Sequence, residues 1–116
     1  MSADHPIRIA PVGKRVRVTW KGHVVADSRA ALELREHLHS PVVYVAREDA
    51  DMRFFARSVH ITTCPHKGRA NHFSLKGPEG VEANAAWTYE TPNPGCEAIR
   101  EHLAFYPGKV EITRGE

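Results

Sequence analysis

The sequence predicts a mainly β domain with one or two short helices, on three observations. Apolar and polar residues alternate over short stretches, as in Arg15-Val16-Arg17-Val18-Thr19-Trp20. Short β-branched runs such as Val42-Val43-Tyr44-Val45 read as buried strands. Glycine and proline punctuate the chain at close intervals. Six to eight short strands at this spacing suggest an antiparallel sandwich, a barrel or a tent-like pair of sheets.

The elements follow in order. Val16, Val18 and Trp20 share one face of the first clear strand, and Lys21-Gly22 turns the chain into a returning strand over residues 23–27. Residues 28–39 are ambiguous. Ala30, Ala31, Leu34 and Leu38 fit a helical face capped by Asp27 or Ser28, whereas a bent strand would place Leu32 and Leu34 inward. Pro41 ends either one. After the buried strand at 42–45, the charges of residues 47–51 suit a short helical turn with acids at its positive end. Residues 59–63 are strand-like, and residues 64–68 form a sharp turn bracketed by proline and glycine. Residues 71–75 alternate, with Phe73 and Leu75 on one face. Residues 77–80 are a turn, and residues 85–89 are another strand. Residues 97–103 are the second helix candidate. A final strand pair is expected around Pro107-Gly108, and the first five and last four residues are expected to fray.

The chain of 116 residues fits one domain with a core of its own. No apolar stretch approaches a membrane span, and the first six residues have no signal-peptide character. With 16 basic and 14 acidic side chains the net charge is +2, which gives no electrostatic argument for nucleic acid or membrane. Two cysteines, Cys64 and Cys96, make no disulfide framework, so a cytoplasmic location is expected. Eight histidines are the unusual count.

Residues 60–72 hold the densest polar motif: His60, Thr62, Thr63, Cys64, His66, Lys67 and His72. The nitrogen and sulfur donors suit zinc, but their spacing supplies no paired-ligand pattern, so no metal or other cofactor is expected. Cys64 is a candidate nucleophile with Lys67 and His66 close by in sequence. Thr63, Lys67 and the Gly68 backbone could hold an anion. Arg47 could grip a planar anion, with Asp49 as base or as the group that orients it. Trp87, Tyr89 and Tyr106 suit a pocket wall as well as a core.

These residues resemble a known family. Arg15-Val16-Arg17-Val18 with Gly22 and Ala26-Asp27-Ser28, Pro41-Val42-Val43-Tyr44 leading to Arg47-Glu48-Asp49, Thr63-Cys64-Pro65-His66-Lys67-Gly68, Ala86-Trp87-Thr88-Tyr89 and Ala104-Phe105-Tyr106 are similar to domain-of-unknown-function family 427. The likeness runs from about Arg15 to Ile112, within one domain over 1–116. The resemblance implies two antiparallel sheets in a β-tent (Mss-four-like) arrangement, and some members carry a nucleotidyltransferase-like label. Many proteins of that fold group hold zinc through two C-x-x-C pairs. This chain has neither pair, so the zinc is not carried over. Where relatives often place aromatic residues, this chain has His66 and His72, which would make a pocket more polar or pH-sensitive.

The expected function is binding of a small polar or anionic molecule between the sheets. Arg47, Asp49, Thr63, Cys64, Lys67 and Gly68 would supply its polar groups, and Trp87, Tyr89 and Tyr106 its walls. In an enzyme, Cys64 would be the nucleophile and Asp49 the base. The alternatives are a non-catalytic interaction module and a nucleotidyltransferase-like enzyme. Homo-oligomers are compatible with the sequence. Lys67→Ala is expected to change stability by no more than about 1 kcal/mol.

Overall fold

A computed structural model describes residues 7–115. Ten strands form two antiparallel sheets: β1 Ile7–Pro11, β2 Arg15–Trp20, β3 His23–Ser28, β4 Leu32–Glu36, β5 Val42–Ala46, β6 Phe55–Cys64, β7 Gly68–Gly77, β8 Gly80–Thr88, β9 His102–Phe105 and β10 Glu111–Gly115. Seven lie in one sheet in the order β1-β4-β5-β9-β8-β7-β6, and three in the other in the order β10-β2-β3. No helix among the described residues is long and apolar enough to cross a membrane.

The helices foreseen from sequence are absent among the described residues, which hold only single 3-10 turns at Arg47–Asp49, Met52–Phe54 and Glu97–Ile99. Within residues 28–39 the strand reading holds. β4 is an interior strand, paired with β1 on one side and β5 on the other, so its backbone groups are used in two ladders. Leu34 is buried, whereas Leu38, the end of the supposed helical stripe, is 91% exposed. Residues 102–105 are likewise held as an interior strand between β5 and β8, which leaves the second helix candidate only its first turn.

Three further corrections concern the ends of the chain. β1 precedes the first strand read from sequence. Thr113 and Arg114 do not fray, because β10 pairs with β2 through Gly115. β9 and β10 are not a hairpin, since they belong to different sheets. The expected fraying of the first five residues lies outside the described residues.

Alternation sorts the core onto two faces. The inward residues of the small sheet, Val16, Val18 and Trp20, pack with Val45, Phe73, Leu75, Leu103 and Phe105 of the large sheet. The other face of the large sheet is covered by the chain's own crossing segment. Cys96 and Ile99 pack there on Leu34, Tyr44, Ala70, Tyr89 and Ala104. Burying the Tyr44 ring pushes its phenol up to about 12, and burial raises Tyr89 as well.

Two bulges flank β7. Its register with β6 passes from Arg57–Phe73 to Ile61–Asn71, so Ser58, Val59 and His60 stand opposite His72 alone. Its register with β8 passes from Phe73–Ala86 to Leu75–Glu82, so Ala83, Asn84 and Ala85 stand opposite Ser74. Asn84 adopts a left-handed backbone (φ 50°), and its N–H donates to Ser74 Oγ at 3.1 Å. Asparagine tolerates that conformation better than most residues.

Candidate functional site

The residues singled out from sequence fall into separate groups. Pairing of Cys64 with Gly68 and of Thr62 with Ala70 puts Cys64 on the Ala70–His72 face of the sheet, away from the small sheet. Lys67 lies in the adjoining turn, and its Nζ donates to Glu36 Oε1 at 2.8 Å. Burial raises the Glu36 carboxyl, but the Lys67 hydrogen bond and charge outweigh it and hold the group below its ordinary value. Gly68 is needed for the same turn. Its φ is +115°, and a Cβ there would lie 3.3 Å from Asn93 Oδ1. Asn93 stitches the crossing segment to this turn, its N–H donating to the Lys67 carbonyl at 2.9 Å and its Nδ2 to the Pro65 carbonyl at 3.1 Å.

Arg47 and Asp49 are not brought to Cys64 and Lys67. Arg47 lies over the Phe73 ring at 5.4 Å and its Nη2 donates to Thr88 Oγ1 at 3.4 Å. Phe73 and Thr88 belong to the opposite face of the sheet, by the register that joins Asn71 to Thr88 and Phe73 to Ala86. Glu90 lies 3.6 Å from Arg47 and accepts two hydrogen bonds from Arg57, at 2.8 and 3.0 Å. Those Arg57 bonds, helped by Arg47, keep its carboxyl low. Asp49 accepts from Ser28 Oγ at 2.7 Å. Asp51 is held by Arg53 at 2.7 Å, so Asp49 and Asp51 are occupied separately. Thr63, opposite Arg69, is exposed. The single pocket foreseen between the sheets, combining Arg47 with Cys64 and Lys67, is therefore not formed. Side chains one residue apart along a strand take opposite faces, and Arg47 and Lys67 reach the sheet from opposite sides.

Trp87, Tyr89 and Tyr106 do share the face with Cys64. Trp87 pairs with Ala104, whose small side chain leaves room for the indole to reach β5. Trp87 Nε1 donates to the Tyr44 hydroxyl at 3.4 Å. Tyr89 is buried beside Tyr44, with ring centroids 6.5 Å apart. Tyr106 is 38% exposed, 4.6 Å from the Trp87 ring and stacked over His72 at 6.3 Å.

This aromatic row leads to a concave site. A cavity of about 520 Å³ is lined by His60, His72, Asn84, Tyr106, Gly108 and Lys109. The two bulges build it, one contributing His60 and the other Asn84 on either side of β7. Bulges recur at sites where a side chain must be re-aimed. His72 is buried, its Nε2 3.4 Å from the Tyr106 hydroxyl and its ring 4.6 Å from His60. Burial, then the neighbouring His60, lowers the pKa of His72. Lys109 Nζ lies over the Tyr106 ring at 5.8 Å and donates to the Ala83 carbonyl at 2.7 Å. The lining holds two imidazoles and an ammonium and no carboxylate.

Among the described residues no group of three His, Cys, Asp or Glu side chains is placed to hold a metal ion. Cys64 and Cys96 are free thiols. Cys96 is buried with Sγ 3.8 Å from the His66 carbonyl, and burial raises its pKa.

His60 and His72 were visible in the sequence as part of a dense polar motif. Asn84 and Lys109 were missed as site residues. An asparagine between alanines inside a strand pattern was the available signal, since such a residue marks a bulge.

The fold and site define an all-β domain with a small aromatic and cationic cavity on one sheet face. The chain belongs to the family described as a domain of unknown function (DUF427), whose model matches residues 8–116. No curated protein matches it.

Proposed function

We propose that the domain binds a small anionic molecule with a flat ring in the cavity beside His72. The observation that carries this reading is the pair of bulges that turn His60 and Asn84 toward His72, Tyr106 and Lys109 in a lining without carboxylates. The volume lies within the usual range of ligand pockets. Tyr106 offers a partly exposed ring for stacking, Lys109 a cation, and His60 and His72 ring nitrogens for hydrogen bonds.

The two antiparallel sheets are compatible with the tent arrangement that the resemblance implies, and the two free thiols suit a reducing compartment such as the cytoplasm. Catalysis by Cys64 and Asp49 is not part of this reading, because they stand in different groups.

Benzenesulfonate is a suitable probe, as it joins a flat ring to a permanent negative charge. In an NMR titration the Tyr106 ring signals shift saturably. His60→Gln and Lys109→Gln each weaken binding several-fold. Affinity that is unchanged by both variants would falsify the assignment.

A further inference from the structure

A second cavity lies where β5 and β9 part. β5 pairs with β9 only through Val45–Leu103 and Ala46–His102. Its earlier residues, Val42, Val43 and Tyr44, pair instead with β4. β9 meanwhile continues through Ala104 and Phe105 along β8. The large sheet therefore opens between the first half of β5 and the second half of β9. A cleft of about 400 Å³ enters there, with Val42, Val43, Trp87 and Phe105 among its walls.

The small sheet closes the cleft. Ile112 and Arg114 line it from β10 on the side of the small sheet that carries their partners Val18 and Val16, Ile112 half-buried and Arg114 exposed at the rim. Arg114 is the one charged side chain in the lining. Its Nη1 donates to Glu33 Oε2 at 3.0 Å, and Glu33 also accepts from Arg35 Nε at 2.8 Å. Glu33 would thus keep one guanidinium partner if Arg114 turned to an incoming anion. Two arginine bonds offset the burial that would otherwise raise the Glu33 carboxyl, and it is held low.

We infer that this cleft is a binding site for a small apolar carboxylic acid, separate from the cavity beside His72. The hydrocarbon or aryl body occupies the walls of Val42, Val43, Phe105 and Ile112 against the Trp87 indole. The carboxylate takes Arg114, whose planar guanidinium matches it in two parallel hydrogen bonds. An apolar cavity with a single cation at its edge selects an amphipathic anion over either a neutral apolar molecule or a small inorganic anion.

The test is a titration of the full chain with hexanoate and with octanoate, which lack the flat ring that the other cavity takes, each compared with its alcohol, hexanol or octanol. Trp87 emission and amide chemical shifts are followed together. Trp20 is buried in the core between the sheets and serves as an internal reference. The acids should change Trp87 emission saturably, with a Kd on the order of 1 mM for ligands of this size, and shift Val43 and Ile112. The alcohols should bind at least about tenfold more weakly, the loss expected for a charge-assisted contact. Arg114→Gln should bring the acids down to the level of the alcohols. Ile112→Phe, which keeps Arg114 but fills the cleft, should abolish binding of both classes. His60→Gln should leave acid binding intact, which separates this site from the other cavity. Equal affinity for acid and alcohol, or shifts confined to residues around His72, would overturn the inference. So would a Trp87 change that tracks protein concentration rather than ligand, since it would assign the cleft to a second copy of the chain.

Discussion

Replacing Lys67 probes how the turn after β6 is held. Its ammonium meets Glu36 Oε1 at 2.8 Å, and the side chains are only 15% and 8% exposed. Breaking a fully buried ion pair costs about 3–5 kcal/mol, whereas exposed pairs contribute about 0–1 kcal/mol. This pair is mostly shielded but not sealed, so Lys67→Ala should cost about 2–3 kcal/mol at pH 7. That is more than the small change the sequence alone suggests for a surface lysine. Lys67→Met keeps the aliphatic stem and should lose nearly as much, which separates charge from packing. The pH dependence has a definite sign. The folded Glu36 carboxyl sits below its ordinary value of 4.5, so its stabilisation is present above that pH and is lost as pH falls through the folded value. Without Lys67 the carboxyl protonates more readily, and the deficit of the variant shrinks as pH approaches 4. Urea denaturation at pH 7 and at pH 4 measures both quantities. A cost below about 0.5 kcal/mol at pH 7, or a deficit that acid leaves unchanged, would refute the reasoning.

Gly68→Ala should cost about 1–3 kcal/mol, because φ is +115° and the added Cβ meets Asn93 at 3.3 Å; denaturation midpoints check it, and a neutral outcome would mean the turn can relax. His72→Phe should flatten stability on the acid side. The folded His72 pKa is lowered, so the native protein loses stability as pH falls below the ordinary value of 6.5, and a phenyl ring removes that dependence. Thermal unfolding between about pH 7.5 and 5 measures it, and parallel curves for the two proteins would count against the buried neutral imidazole.

The alternating segments were legible in the sequence because period two is a local property. Val16, Val18 and Trp20 all face the core as read. The failures came where a distant partner decides. Residues 30–38 can be drawn as a helical stripe, but β1 and β5 claim the backbone of β4 from both sides. Ile112 reads as the return of a hairpin with residues 104–106, yet its partner is Val18, far back in the chain. The site was legible in part for the same reason. Cys64, Lys67 and Gly68 stay together because they share a turn. Arg47 was separated from them by strand parity, which sequence proximity does not reveal. Glu36, the partner of Lys67, stands 31 positions away and carries no local mark of that role.

The bulge at Ser58–His60 also has a consequence for how molecules of this domain meet one another. β6 is an outer strand of ten residues, and Val59 at the bulge is 97% exposed. A straight outer strand of that length is a template onto which a neighbouring chain can zip. Here the extra residues break the repeat of outward N–H and C=O groups in mid-strand, so a straight invading strand can match residues 55–57 or residues 61–64 but not both in one register. The distortion that shapes the cavity beside His72 therefore also guards the sheet against open-ended stacking.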